Sequence, residues 1–173
     1  MDVLAIFLLV LLPGLCVSSL TDKETDFYGS TSRNLALGAK TDQSSTFPFF
    51  GLAKHAVDGN SNSNYFLGSC THTFMEHSPW WRVDLGGVYK ISRVTITNRG
   101  DCCGEWISGA QIRIGNSLHM NGNNNELAAT VWSIPNGHTE TFTFKPIEGQ
   151  YVNIVLPGMF RILILCEVEV YRI

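Results

Sequence analysis

Apolar and polar positions alternate through much of the chain. Ser92-Arg93-Val94-Thr95-Ile96-Thr97 and Glu167-Val168-Glu169-Val170-Tyr171 alternate polar with apolar, the period of a strand with one face buried and the other in water. Shorter apolar or alternating runs add to them, and together they predict strands over residues 80–85, 90–97, 110–114, 130–134, 140–144, 151–156 and 162–171. Between the runs stand Gly86-Gly87, Gly115-Asn116, Asn121 to Asn125, Pro135-Asn136-Gly137, Glu148-Gly149 and Pro157-Gly158. These residue types accept positive φ or preset it, so they are expected to turn the chain. Asn121 to Asn125 reads as a polar loop at one end of the fold. No stretch of helix length carries a 3.6-residue apolar period, and there is no internal repeat or linker. The pattern therefore predicts a single all-β domain, an antiparallel sandwich or barrel.

The first 33 residues are of another kind. Residues 3–15 are an apolar run, followed by the small residues Val17, Ser18 and Ser19. The run is shorter than the roughly 20 apolar residues a membrane helix needs. Residues 1–19 are thus expected to be a cleaved secretory signal peptide, and the protein to be extracellular. Residues 20–33 are polar and patternless, a flexible N-terminal extension, and 34–173 form the domain. Loss of 1–19 removes Asp2 and Cys16 and leaves a formal balance of −2. So slight a charge argues against nucleic acid or an anionic membrane as partner. The remaining chain of about 154 residues buries roughly 68–70% of its unfolded surface, enough for a true core.

Cys70, Cys102, Cys103 and Cys166 remain. An even number in a secreted chain implies disulfides. Adjacency leaves two schemes: Cys102–Cys103 with Cys70–Cys166, or two crossing long bridges.

The chemistry concentrates around His72 and Arg99-Gly100-Asp101-Cys102-Cys103, which are separated by 26 residues, with Trp106 following. Charge-assisted donors beside a sulfur surface suit a neutral, hydroxyl-rich ligand. The Arg-Gly-Asp tripeptide is better explained by such a site than by cell attachment.

Asn34 to Ser45, Ala56-Val57-Asp58-Gly59-Asn60 and Pro79 to Gly86 resemble discoidin-like jelly rolls. Tyr65 to His72, Asn98 to Glu105 and Leu165 to Val170 are similar to the F-type lectins, or fucolectins, and the resemblance runs from about Asn34 to Tyr171. It implies a discoidin-like β-sandwich that is not an enzyme and that binds terminal α-L-fucose on cell-surface or microbial glycans, in innate defence. It also implies a homo-oligomer, a trimer. That family's sugar motif is His, a spacer near 26, Arg-x-Asp, four residues, then Arg or Lys. His72, Arg99 and Asp101 match it as ligands and Arg-positioning carboxylate. Cys102–Cys103 matches its vicinal disulfide, the flat platform under the sugar, and Cys70–Cys166 its long bridge. Tyr65 and Phe66 are candidates for the wall around the sugar methyl. His55 with Arg82-Val83-Asp84 repeats the spacing of the motif without the cysteines. Arg82 and Asp84 are expected to be an ion pair that fixes the sandwich.

The resemblance further implies structural Ca²⁺. Asp58 and Glu167 would give carboxylates, Asn60 and Ser69 neutral oxygens, and His55 and Cys166 main-chain carbonyls. Such an all-oxygen set suits calcium. Three departures stand against the match. Trp106 takes the place of the second basic ligand, which makes altered or lost fucose binding the competing reading. The 41–54 segment is short and holds Phe47-Pro48-Phe49-Phe50. A further cysteine pair of some relatives, near Gly122 and His138, is absent. A glycosidase would have to use Asp101 and Glu105, and Asp101 is already committed to Arg99. A phospholipid-binding role would rest on the 47–50 aromatics alone.

Overall fold

The computed structural model describes residues 33–173. The signal peptide and all but the last residue of the extension lie outside the described residues. Six strands, β1 (Lys40–Gln43), β2 (Trp80–Thr97), β3 (Ala110–Gly115), β4 (Glu126–Val131), β5 (Thr139–Val155) and β6 (Glu167–Arg172), are joined by loops and four short 3-10 turns. Every pairing is antiparallel, in the order β1-β2-β5-β3-β4 with β6 on β2.

Two strands organise the fold, and both were expected to be pairs. Residues 80–85 and 90–97 are one strand, β2; residues 140–144 and 151–155 fall within β5, which ends one residue before the expected boundary at 156. Gly86-Gly87 and Glu148-Gly149 do not reverse the chain. They sit where the β2–β5 register slips between Asp84 and Tyr89, a bulge that bends both strands together. Before the slip, β2 pairs with β1 and the end of β5; after it, with the start of β5 and with β6. The long strands thus pass from one layer of the sandwich to the other, as strands do at the corner of such folds. A lower slip, opposite Lys145-Pro146, falls on the half of β5 that has no β3 partner. That is where a proline costs no ladder bond.

The core lies between the layers. Trp81, Val83, Ile112, Ile114, Val152 and Ile154 face Val94, Ile96, Val168 and Val170 in one buried cluster. Trp81 is fully buried and its Nε1 donates to the Ala53 carbonyl at 2.9 Å, so its one polar atom is satisfied. The outward positions of β2 behave differently from expectation. Arg82 and Asp84 are not each other's partners. Arg82 donates to Asp42 and to the Asn121 carbonyl, whereas Asp84 accepts from Gln150 and the Gly86 amide. Side chains two apart on a strand share a face, and on this face each is drawn to a cross-strand neighbour, Arg82 to Asp42 and Asp84 to Gln150.

Three boundaries also differ. β1 is polar, with only Gln43 buried, and no apolar alternation marks it. The strand expected over 130–134 is shifted to Glu126–Val131. The run 162–171 becomes regular only at Glu167. Before that, the Leu163 and Leu165 amides donate to the hydroxyls of Thr73 and Thr71 while their carbonyls accept from the same residues' amides. Side chains replace carbonyls on one side of that ladder, and the ribbon stays irregular. The Asn121 region is not a free loop either. Its Asn121 carbonyl accepts from Asn153 and Arg82, which ties it down onto β2 and β5.

Candidate functional site

The irregular 71–76 and 161–166 ribbon, the 47–51 segment and the loop after β2 meet at one end of the sandwich. Cys70–Cys166 and Cys102–Cys103 are both formed, which decides between the two pairing schemes left open by the sequence.

Arg99 is nearly buried, and three contacts fix it. Its Nε lies 3.1 Å from both Asp101 oxygens and its Nη2 2.6 Å from Oδ2. The guanidinium rests on the Tyr65 ring, 4.6 Å from its centroid, with Phe66 at 5.8 Å. Asp101 in turn accepts the Tyr65 amide at 2.8 Å. Hydrogen bonds from Arg99 hold its carboxyl below the usual carboxylate range. Arg99 therefore spends one edge of its fork on Asp101, and the N–H groups of the other edge have no acceptor among the described residues. The residue between them must be glycine, because a side chain at Gly100 would collide with Ser63 and with Gly137.

His72 is 7% exposed and packs between the tilted rings of Phe47 at 4.7 Å and Tyr65 at 5.1 Å. Burial, and the nearby Arg99 charge, lower its pKa, while the Thr73 contact opposes them. Its Nδ1 lies 2.7 Å from the Thr73 carbonyl. A carbonyl only accepts, so Nδ1 carries the proton, and in the neutral ring Nε2 is an acceptor. The sequence left the His72 tautomer open; with the proton on Nδ1, Nε2 can accept a hydrogen bond and Arg99 can donate one. Gly51 packs so closely on His72 that a Cβ there would lie 2.8 Å from the His72 carbonyl, which lets the Phe47–Gly51 turn seat Phe47 on the imidazole.

The remaining candidates divide. Tyr65 is 5% exposed and forms the floor under Arg99 and His72 rather than an open wall. Phe66, 68% exposed, stays open beside Arg99. Cys103 has φ 61° and precedes the 3-10 turn Gly104–Ile107, in which the Trp106 amide donates to the Cys103 carbonyl. Trp106 is thus carried directly from the disulfide. Phe47 and the Thr73 carbonyl were missed. The aromatic 47–50 stretch was visible in the sequence, but nothing there marks its stacking on His72.

The second candidate cluster is assembled by the other disulfide. The Gly59 amide donates to Glu167 Oε1 at 3.3 Å, which places Asp58 beside Glu167. Ser69 precedes Cys70, whose bridge leads to Cys166, the neighbour of Glu167. Glu167 is 2% exposed, and its Oε2 has no partner. Burial first, then the Asp58 charge, push its carboxyl up to about 8. A buried carboxylate with an orphaned oxygen and a second carboxylate close by is a set that a cation would complete. Among the described residues no three His, Cys, Asp or Glu side chains cluster as metal ligands, so the rest of any shell must be neutral oxygen. Asp58 and Asn60 lie on a succession of turns. Asp58, Asn60, Asn62 and Asn64 each accept, through Oδ1, the amide two residues on. Ser69 Oγ donates to the Asn64 carbonyl, leaving its lone pairs, and the His55 side chain is held by the Phe50 carbonyl.

A jelly roll with a His, Arg-Asp and vicinal-disulfide face defines a carbohydrate-binding module, and the comparisons agree. A family model described as a NedA-like, galactose-binding domain matches residues 55–154. Fucolectin-4 of Anguilla japonica is 50% identical over 147 residues, 82% of this chain and 81% of that protein. The fucolectin of Anguilla anguilla is 48% identical, covering 82% of this chain and 92% of the other. Among solved structures, the serum fucolectin of striped bass, Morone saxatilis, superposes with a TM-score of 0.79 at 47% identity over 81% of this chain. This chain spans 48% of the length of that lectin. The lectin domain of lectinolysin, solved with Lewis B antigen, gives 0.70 at 32% identity over 82% of this chain and 98% of that one. The chain belongs to the fucolectin family of F-type lectins. Its relatives are binding proteins, and it is a lectin-fold protein rather than an enzyme. Among the described residues no helix is long and apolar enough to cross a membrane.

Proposed function

We propose that this protein is a secreted, calcium-stabilised lectin that binds terminal α-L-fucose on fucosylated glycans and serves innate recognition as a homo-oligomer. The observation that carries the reading is the complementary pair at the site. Arg99 is locked by Asp101 with donors to spare, and a neutral His72 has its acceptor nitrogen free. A vicinal diol offers both an acceptor and a donor to that pair, while Phe66 and the Cys102–Cys103 face meet the apolar edge of a deoxy sugar. With one shallow site per chain, avidity comes from an oligomer; a trimer would present three.

Trp106 supports a second reading, in which fucose binding is weakened or redirected. Both are tested by retention on fucose-agarose and by a glycan array of wild type beside Trp106→Arg. Retention of the wild type, eluted by free fucose, supports the first reading. Retention of the arginine variant alone supports the second.

The His72 tautomer makes a further prediction. At saturating calcium, fucose affinity should be flat from pH 8 to 7 and fall as pH drops below the ordinary histidine value of about 6.5. Protonation turns Nε2 from acceptor to donor and puts a second positive charge beside Arg99. The depressed Asp101 remains ionised through that window. Titration calorimetry across pH checks this, and constant affinity down to pH 4.5 would refute the acceptor role.

A further inference from the structure

We infer that a recess beside the candidate fucose site holds the second ring of the glycan, a neutral pyranose linked to the terminal fucose; the inference rests on the fucose reading above. The recess has a volume of about 270 Å³ and is lined by Met75, Glu105, Trp106, Phe160, Arg161 and Ile162. Two links join it to the first site. Trp106 is on the turn that the Cys102–Cys103 bridge leads into, hydrogen-bonded to the Cys103 carbonyl. Ile162 packs against the small cluster of Tyr65, Cys70, Ile164 and Cys166, whose Tyr65 ring supports Arg99.

The chemistry of the walls fits a sugar ring. Met75 is 61% exposed and Phe160 74% exposed, a concentration of large apolar side chains that an unused surface avoids. Together with the exposed Trp106 they present aromatic and thioether faces of the kind that pack on the C–H side of a pyranose. Phe160 has φ 54°. A bulky residue in the left-handed region is rare, and such strain is kept where an exposed side chain is used.

The polar groups supply both senses of hydrogen bond. Arg161 is anchored: its main chain pairs with Glu76 in both directions at 2.9 Å, and its Nη2 donates to the carbonyls of Trp106 and Ser108 at 3.2 and 2.7 Å. Its other N–H groups have no acceptor among the described residues. Glu105 makes no ion pair there, which leaves its carboxylate to accept hydroxyls. One positive and one negative group at the same recess select neither an acidic nor a basic sugar, and they match the hydroxyls of a neutral one. Arg161, from a different part of the chain, thus brings a cation to the turn that carries Trp106.

The test compares methyl α-L-fucoside with three disaccharides, fucose joined 1→2 to galactose and 1→3 or 1→4 to N-acetylglucosamine, by calorimetry on wild type, Phe160→Asn and Met75→Ser. Asparagine tolerates the left-handed backbone at position 160, so that variant keeps the loop. At least one disaccharide is expected to bind wild type about five- to tenfold tighter than the fucoside, the worth of roughly one good ring contact. Both variants should lose that gain while holding the fucoside within about twofold of wild type. Three results overturn the subsite: no disaccharide better than the fucoside, equal losses for fucoside and disaccharide, or no loss at all. If wild type fails to bind the fucoside, the proposed function falls, and the subsite with it. If the fucoside binds and no disaccharide gains, the subsite alone falls.

Discussion

Arg99→Ala is expected to weaken fucose binding by at least about 100-fold. The free edge of the guanidinium offers two charge-assisted hydrogen bonds, each worth roughly 1.5–3 kcal/mol, and each 1.4 kcal/mol is about tenfold in affinity. No neighbour can supply them. His72 is held as an acceptor toward the ligand by its bond to Thr73, and position 106 is a tryptophan. The substitution also frees Asp101 from its only cationic partner at the site, although the Tyr65 amide still binds its Oδ1. The fold should survive, since Arg99 lies outside the main core cluster. Arg99→Lys separates charge from geometry. A lysine keeps a positive charge beside Asp101 but lacks the planar fork, so it should bind better than alanine and well below wild type. Calorimetry at saturating calcium measures all three, with thermal melting as the control for folding. Binding by Arg99→Ala within about threefold of wild type would mean that the sugar is held elsewhere.

Much of this site was legible because its logic is local. Arg99, Asp101 and the cysteine pair lie within five residues, and a carboxylate two residues from an arginine in a tight loop reaches it almost regardless of the surroundings. The same rule misled on β2. Arg82 and Asp84 have the same spacing, but cross-strand neighbours compete for both, and each turned to one of them. Spacing alone does not distinguish loop from strand; the apolar alternation around Arg82 and the cysteines after Asp101 do.

The fold was readable where one face is buried and opaque where the chain is polar or bent. Trp81, Val83 and Leu85 alternate cleanly, whereas Lys40-Thr41-Asp42-Gln43 becomes strand only because β2 offers an edge. Gly86-Gly87 and Glu148-Gly149 look like turns to any local rule. They form a corner because the two strands bend together, a property of the pair and not of either segment. The recess at Trp106 was hidden for the same reason. Met75, Trp106 and Phe160 are far apart in sequence; the Glu76–Arg161 main-chain pairing joins two of their segments, and the Arg161 side chain, on the Trp106 and Ser108 carbonyls, joins the third.

Calcium is expected to raise the melting temperature of the wild type and to leave Glu167→Gln unmoved. In the ion-free protein the Glu167 carboxyl is pushed from 4.5 up to about 8, so the folded state keeps a proton that the unfolded chain releases. Its contribution to stability is complete below about 4.5 and is lost as pH rises through about 8. The ion-free wild type should therefore become less stable across that window, and Glu167→Gln, with no charge to bury, should show a flatter profile. A cation reverses the slope. It favours the ionised carboxylate, fills the place of the missing partner at Oε2 and offsets the repulsion from Asp58, so its effect should grow with pH. At a concentration 100 times Kd the stabilisation is about 2.7 kcal/mol. For a domain of this size that corresponds to roughly 5–10 °C. Melting curves in calcium and in chelator, at pH 5, 7 and 8.5, give the comparison. Equal shifts in wild type and Glu167→Gln would place calcium elsewhere. A wild type indifferent to calcium at pH 8.5 would leave Glu167 as a protonated core residue and the cluster of Asp58, Asn60 and Ser69 as turn chemistry alone.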